Sequence, residues 1–286
     1  MNDQAHSLRR LANRGDRKSA RVIAVTSGKG GVGKTNLSVN LSLGLIQAGS
    51  SVVLLDADLG MANVDILLGL TPKFTLTDVL QSEKDVGEII VEGPLGLKVV
   101  AGGSGVYDVA NLTEWDLERF VRSVEQLDLN SDFIIIDTGA GLGRNVLSFV
   151  LAADETIVVT TPEPTAITDA YGMIKVILQR NPDSAIRVIV NMVNSPRQAQ
   201  QVVEKLNAVL RQFVNREVAY GGFIPYDGHV GRAVSEQRAF ITAFPSSSAS
   251  RSIEHVAEKI AGKTSGQDGL GRGLKGFFSR VYNLIH

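Results

Sequence analysis

A glycine-rich loop near the start of the chain has the residue types that hold phosphate. Residues 28–35 read G-K-G-G-V-G-K-T, which satisfies G-x4-G-K-T, and they lie between an apolar run typical of a strand and a run with helical periodicity. Glycines allow successive backbone N–H groups to turn toward a phosphate, and the N-terminus of the following helix favours the same anion. Lys34 is placed to reach β- and γ-phosphate oxygens, and the Thr35 hydroxyl is placed to bind Mg²⁺. The alternative is a glycine turn that only opens a helix. The residues predicted here to contact a nucleotide are Gly28, Lys29, Gly30, Gly31, Val32, Gly33, Lys34, Thr35 and Asn36.

Three carboxylates follow predicted strands. Asp56 and Asp58 end the apolar run that begins at residue 51, and Asp137 ends the run that begins at residue 132. Because the carboxyl ends of parallel strands border the ligand crevice of an α/β sheet, we expect these side chains beside the glycine loop. Asp56 and Asp137 are expected to hold Mg²⁺ through water, with Thr35 bound to it directly. Each aspartate could instead cap a strand in an ordinary turn.

The order of apolar and periodic segments predicts the fold. Near-continuous Val, Ile and Leu runs predict strands that are covered on both faces and are therefore parallel. Helical segments alternate with them, which predicts an α/β fold: a doubly wound, mostly parallel sheet flanked by helices over residues 22–262. Residues 1–21 are a basic N-terminal segment, 263–273 a Gly-rich linker and 274–286 a C-terminal helix. The predicted strands span 22–27, 51–56, 97–101, 132–137, 155–160 and 186–191, and the predicted helices 35–48, 114–127, 144–153, 165–180 and 197–214.

The second lysine of the glycine loop carries a family resemblance. With Lys29 at its second position, K-G-G-V-G-K-T resembles the deviant Walker A motif of the MinD/ParA class of P-loop NTPases, and the resemblance covers about residues 22–262. It implies an ATPase that forms a nucleotide-sandwich homodimer, in which Lys29 reaches the phosphates of the partner subunit. An added cation at the transferred phosphoryl group makes hydrolysis to ADP and phosphate dependent on the dimer. The resemblance also implies that Asp58 orients the attacking water, so the catalytic residues are Lys29, Lys34 and Asp58.

The same resemblance implies adenine as the base. A GTPase would carry N-K-x-D, whereas the comparable strand here ends in residues 190–194, V-N-M-V-N, without that Lys and Asp. In MinD-like proteins this asparagine and an Ile-Pro-x-Asp segment hold the base. Here they correspond to Asn191, Pro225 and Asp227. Both segments could also be a plain strand end and a turn.

The C-terminal helix has an amphipathic apolar stripe at i, i+3, i+4, i+7, i+8 and i+11. Lys275 and Arg280 lie off the stripe, where they could meet anionic lipid. MinD-like proteins end in a membrane-targeting helix, so the resemblance implies a cytoplasmic protein that binds the inner face of the cell membrane when ATP is bound. Alternatively the helix packs on the protein's own core or on a partner. The stripe consists of Leu274, Phe277, Phe278, Val281, Tyr282 and Ile285.

The N-terminal segment suggests a branch of the class. Residues 3–9 match D-Q-A-x-x-L-R, which resembles the N-terminal motif of the FlhG family, the MinD-like regulators of flagellar number and placement. This implies stimulation of the GTPase FlhF and contact with C-ring proteins of the flagellar basal body. A solvated basic leader is the alternative. The motif residues are Asp3, Gln4, Ala5, Leu8 and Arg9.

Composition excludes several other functions. The chain has no cysteine, which removes disulfides, thiolate zinc sites and cysteine-held iron–sulfur clusters. Its net charge of −1 conceals +4 on residues 1–21, −8 on 22–262 and +3 on 263–286, so no specific nucleic acid partner is expected. The alternatives left open are a division-site MinD-type ATPase, a DNA-partitioning ParA-type ATPase and a P-loop metabolic enzyme.

Overall fold

One sheet organises the computed structural model, which describes residues 19–58, 63–80, 84–102, 131–262 and 274–285. Within these ranges the sheet has eight strands in the order β3-β4-β2-β5-β1-β6-β7-β8. All neighbouring strands are parallel except β3 and β4, which are antiparallel. The strands are β1 (Arg21–Ser27), β2 (Val52–Ala57), β3 (Ile90–Glu92), β4 (Lys98–Val100), β5 (Phe133–Ala140), β6 (Glu155–Thr160), β7 (Ile186–Val193) and β8 (Ala219–Pro225).

Helices cover both faces of this sheet. One face of β1 buries Ile23 and Val25 under α1 and α10, while the other buries Val22 and Ala24 on the side of α5, α6, α7 and α11. Burial on both faces explains why the strands read as continuous apolar runs, and it confirms the predicted doubly wound α/β fold. The helices are α1 (Lys34–Gln47), α2 (Val64–Leu68), α3 (Leu76–Leu80), α4 (Val86–Ile89), α5 (Arg144–Ala152), α6 (Pro164–Arg180), α7 (Pro196–Val214), α8 (Gly228–Ser235), α9 (Phe240–Ala243), α10 (Ser248–Ala261) and α11 (Leu274–Ile285).

The chain reverses its direction of travel across the sheet at the central strand β1. From β1 it first builds β2 to β5 on one side, and then β6, β7 and β8 on the other. Ligands of doubly wound sheets bind outside the carboxyl ends of the strands at this reversal. We call this end of the sheet the carboxyl edge. Strand register places Asp56 of β2 directly beside Asp137 of β5 there.

Some elements were not predicted from sequence. The edge strand β3 has three residues, and β8 contains Gly221 and Gly222, the second with a φ of +132°, so neither has a strong strand pattern. Helix α10 follows a serine-rich stretch that resembles a loop, yet it packs on α1 and β8 through Ile253 and Val256. The predicted helix at 114–127 lies outside the described residues.

The C-terminal helix α11 packs on the protein's own sheet. Phe277, Phe278 and Val281 are buried, and the Phe277 ring stacks on Phe149 of α5 with centroids 5.9 Å apart. The described part of the apolar stripe therefore meets the core, the alternative considered above. Of the described helices, none is long and apolar enough to cross a bilayer.

Arg280 differs from its sequence-based expectation. Its Nε donates a hydrogen bond of 2.8 Å to the carbonyl oxygen of Ala152, at the C-terminus of α5. Its guanidinium also lies 3.4 Å from Asp154 Oδ1, and Asp154 Oδ2 accepts a hydrogen bond from the Val22 N–H. In the docked helix Arg280 thus binds a carbonyl at a helix C-terminus and a carboxylate, not a lipid surface.

Candidate functional site

The glycine loop, which we call the phosphate loop (residues 28–35), leaves a set of N–H groups unpaired. Gly31 and Gly33 have φ of +78° and +86°, a region that favours glycine. Helix α1 begins at Lys34 with no side-chain cap. The first four N–H groups of a helix lack an intrahelical acceptor, and within the described chain those of residues 33–36 have none. These donors and the helix dipole form an anion site.

Asp137 lies at the buried end of this site. Its Oδ1 accepts a hydrogen bond of 2.7 Å from the Ser38 hydroxyl, while its Oδ2 is buried and has no hydrogen-bond partner among the described residues. Burial raises the pKa of Asp137, although the Lys34 ammonium and hydrogen bonds from Ser38 and Thr35 oppose the rise. A buried carboxylate oxygen without a hydrogen-bond donor destabilises the fold unless a cation or a cation-bound water contacts it.

Asp56 is held beside it by backbone donors. The N–H groups of Asp58, Asn63 and Val64 donate to its carboxylate over 3.0, 3.0 and 3.2 Å. Burial and then repulsion from Asp137 raise the pKa of Asp56 to about 6, against the effect of those hydrogen bonds. Two neighbouring buried carboxylates therefore favour the binding of a cation between or beside them.

The donor set fits Mg²⁺ held largely by water and phosphate. The described residues contain no group of three or more His, Cys, Asp or Glu that could hold a metal ion. Mg²⁺ keeps several waters and takes one or two protein oxygens plus phosphate oxygens. Thr35, Asp137 and Asp56 match that pattern, and the unpartnered Oδ2 of Asp137 is the position that a metal-bound water would fill.

Asp58 stands at the mouth of the same site. It is half-buried, and a Cβ built on Gly139 would lie 3.4 Å from its Oδ1, so strand β5 passes directly behind the carboxylate. It follows the end of β2, two residues after Asp56, and its charge raises the pKa of Asp137 slightly, but contact with a reacting water stays a prediction.

Lys29 is engaged by its own chain. Its Nζ lies 2.9 Å from Glu163 Oε2 and 3.1 Å from the Thr165 hydroxyl, both at the N-terminus of α6. The side chains of Lys29 and Glu163 are 39% and 66% exposed, so this is a surface ion pair worth about 0–1 kcal/mol. Lys29 is therefore held at the rim of the loop by an interaction that a stronger anion can replace.

The predicted base segments come together at the ends of β7 and β8. Val193 and Pro225 are paired in register, and Asn191 reaches the phosphate loop. Asp227 caps α8, and its two oxygens accept hydrogen bonds from the N–H groups of His229 and Ala249 and from the Ser248 hydroxyl. Burial alone would raise the pKa of Asp227, but these bonds outweigh it and hold the pKa well below its usual range. The carboxylate thus ties α8 to α10, and base contact by Asn191, Pro225 and Asp227 stays a prediction.

The structure adds residues that the sequence analysis missed. Ser38 binds Asp137, and its position four residues after Lys34 places it on the same helix face, a signal that could have identified it. Glu163 and Thr165 hold Lys29 from more than 130 residues away, and no sequence pattern links them. Residues 3–9 lie outside the described residues, as do the side chains of Leu274, Tyr282 and Ile285.

The phosphate loop, the strand-end carboxylates and the strand order together indicate a P-loop NTPase, and the comparison with protein families agrees. The ParA family, described as NUBPL iron-transfer P-loop NTPase, matches residues 18–261. The chain belongs to the MinD/ParA family of P-loop NTPases, and it is an ATPase of that family. The iron transfer named in that family description has no counterpart here in cysteine ligands, since the chain has none.

Comparison with individual proteins shows which members of the family the chain resembles. The chain is 44% identical to antiactivator FleN of Pseudomonas aeruginosa over 86% of this chain and 88% of that protein. It is 36% identical to the flagellum site-determining protein YlxH of Helicobacter pylori over the full length of both. Among solved structures it resembles the septum site-determining protein MinD of Pyrococcus horikoshii complexed with Mg-ADP, with a TM-score of 0.68, 28% identity and coverage of 84% of this chain and 96% of that one.

Proposed function

We propose that this ATPase is a switch of the FlhG type, which controls flagellar number and placement by cycling between monomer and ATP-bound homodimer. The observation that carries the proposal is the 36% identity, over the full length of both chains, to a flagellum site-determining protein. The chain that shows it has a phosphate loop beside two buried strand-end carboxylates, and it is also 44% identical to an antiactivator. The name of the flagellar relative favours this function over division-site placement or DNA partitioning.

The site residues suit hydrolysis of ATP. The N–H groups at the start of α1 and Lys34 bind the β- and γ-phosphates, and Asp58 orients a water toward the γ-phosphorus. Thr35 would hold Mg²⁺ directly, and Asp137 and Asp56 would hold it through water. When bound, the ion would neutralise phosphate charge. The water oxygen bonds to the γ-phosphorus as the bond between that phosphorus and the β–γ bridging oxygen breaks. ADP and inorganic phosphate leave, and the proton lost by the water passes to solvent.

Dimerisation is favoured by what the carboxyl edge exposes. Large apolar side chains stand exposed in the last residues of β7 and on segments that follow β2, β5 and β8, where a second copy facing this edge would cover them. Lys29, held by a surface ion pair and one hydroxyl, can then exchange Glu163 and Thr165 for the more highly charged phosphates of the partner. The exposed side chains are Ile66, Leu142, Met192 and Tyr226.

Removing the Lys29 ammonium should separate nucleotide binding from dimerisation. Lys29→Ala should bind ATP with little loss, because Lys34 and the backbone donors remain, but should stay monomeric with a non-hydrolysable ATP analogue. Asp58→Ala should dimerise normally and fail to turn over. Analytical ultracentrifugation with and without the analogue, together with phosphate release, distinguishes the two variants.

Lys84→Ala is a matched control, because Lys84 also pairs with a glutamate, Glu88 at 3.2 Å, but at α4 rather than at the phosphate loop. It should dimerise like the unmodified protein. A Lys29→Ala protein that still forms the ATP-dependent dimer would rule out a trans-acting lysine.

Membrane binding is proposed to begin with release of α11. The docked helix hides Phe277, Phe278 and Val281, which would otherwise supply about 1.5–3 kcal/mol each on burial in the bilayer interface. One such helix binds a membrane marginally, whereas the two helices of a dimer act together. The protein would then lie on the cytoplasmic face of the cell membrane in its ATP form, with Lys275 and Arg280 toward anionic lipid.

A substitution that weakens the packing of α11 on the sheet, but leaves the sequence of α11 unchanged, should increase membrane binding. Asp154→Asn removes the charge that faces Arg280 but keeps an oxygen to accept the Val22 N–H. Because a partly exposed ion pair contributes about 0.5–1 kcal/mol, the fraction floating with anionic liposomes without nucleotide should rise about two- to fivefold. Glu217→Gln, which breaks the exposed Arg211–Glu217 pair of 2.6 Å, should leave flotation unchanged. Equal flotation of Asp154→Asn and the unmodified protein would contradict the idea that the Arg280–Asp154 contact holds α11 on the sheet.

The N-terminal motif is proposed to act on a second enzyme. Its resemblance to the FlhG segment supports stimulation of GTP hydrolysis by FlhF. The same resemblance is the ground for proposing contacts with C-ring proteins of the basal body. A peptide of residues 1–20 should accelerate phosphate release by FlhF, and a peptide with Gln4→Ala and Arg9→Ala should not. Absence of acceleration by the native peptide would leave a division-site MinD-type function as the better interpretation.

A further inference from the structure

Asn191 makes a contact that base recognition does not require. Its Nδ2 donates a hydrogen bond of 2.8 Å to the carbonyl oxygen of Val32 inside the phosphate loop. Its Oδ1 accepts a hydrogen bond of 2.9 Å from the N–H of Met192. The carboxamide is therefore clamped between the end of β7 and the loop, 159 residues apart in sequence.

The carbonyl that Asn191 holds belongs to the same peptide unit as the Gly33 N–H. In a planar trans peptide the C=O and the N–H point in opposite directions. Fixing the Val32 carbonyl toward Asn191 therefore aims the Gly33 N–H away from it. That N–H has no acceptor among the described residues, and it is the first of the donors at the start of α1.

Steric fit supports a built contact. A Cβ on Gly33 would lie 2.3 Å from Asn191 Nδ2, so the side chain occupies the space that only a glycine leaves open. Asn191 is 9% exposed and directly follows Val190, the last residue of β7 that is in register with both β6 and β8. The paired part of the sheet thus supports a loop that is rich in glycine and otherwise costly to order.

We propose that Asn191 is a positioning residue for the phosphate loop, which sets the direction of the Gly33 N–H toward the phosphates of the nucleotide. The proposal rests on residues 28–35 being the phosphate site of the proposed ATPase function. It makes phosphate binding depend on a residue at the base end of the site. A base contact by the same side chain would couple adenine recognition to the geometry of the loop.

Pyrophosphate, which has no base, separates this role from adenine contact. Binding of Mg²⁺-pyrophosphate and Mg²⁺-ADP to the full chain is measured by isothermal titration calorimetry. Asn191→Asp keeps the shape and the acceptor for the Met192 N–H but turns an oxygen toward the Val32 carbonyl. Asn191→Ala removes the contact altogether. Each variant should bind pyrophosphate about tenfold more weakly, the usual consequence of a buried carbonyl left without its donor.

Asn207→Asp is the matched control. The Asn207 carboxamide makes the same kind of contact with another segment, since its Nδ2 donates to the carbonyl oxygen of Val218 over 3.1 Å and its Oδ1 accepts from the Val218 N–H over 2.9 Å. This variant should bind pyrophosphate within twofold of the unmodified chain. The ¹⁵N order parameter of Gly33 should fall in Asn191→Asp and stay unchanged in Asn207→Asp.

The outcomes are distinct. A folded Asn191→Asp protein with native melting temperature that binds pyrophosphate as tightly as the unmodified chain, with weakened ADP binding, would overturn the positioning role and leave a base contact. Failure of the unmodified chain to bind Mg²⁺-ADP would instead reject the nucleotide function itself.

Discussion

The interaction on which the site depends is the repulsion between two buried carboxylates. Asp56 and Asp137 occupy paired positions of adjacent parallel strands, both out of contact with bulk water. Such a pair is unfavourable unless hydrogen bonds and positive charge compensate it. Backbone N–H groups donate to Asp56, the Ser38 hydroxyl donates to Oδ1 of Asp137, and the Lys34 ammonium attracts the Asp137 carboxylate. The negative charge that these groups leave uncompensated makes the site suitable for a divalent cation that binds together with phosphate.

The rest of the fold serves this arrangement. The doubly wound order places the ends of β1, β2 and β5 side by side, so one glycine loop and two strand-end carboxylates meet without any long loop. Asn191 and Glu163 come from the other half of the sheet, the first from near the end of β7 and the second from just after β6. The stability lost by burying charge is a common feature of functional sites, which trade stability for activity. The large apolar core on both faces of the sheet supplies that stability.

Sequence predicted the parts with local signatures. The phosphate loop, Asp137 and the central strands follow from short motifs and apolar runs. Strand β8 was missed because Gly221 and Gly222 weaken its strand pattern. The partners of Lys29 were missed because Glu163 lies far from Lys29 in the sequence. The stripe on α11 predicted an amphipathic helix, but the hydrophobic effect is non-directional, so the stripe itself does not distinguish lipid from the protein's own core.

The central claim, that the carboxylate pair is unfavourable until a cation relieves it, is tested by urea unfolding of Asp137→Asn against the unmodified chain. Without Mg²⁺ and nucleotide at pH 7.5, the variant should be the more stable of the two, because it lacks the ionised carboxylate that burial disfavours. Since a raised folded-state pKa means that the ionised form destabilises the fold, this gain should shrink as the pH falls through about 6, where Asp56 takes up a proton. With Mg²⁺-ADP present at pH 7.5 the order should reverse. A variant that is less stable than the unmodified chain in the metal-free protein, or a gain that is the same at pH 5 and pH 7.5, would contradict the account.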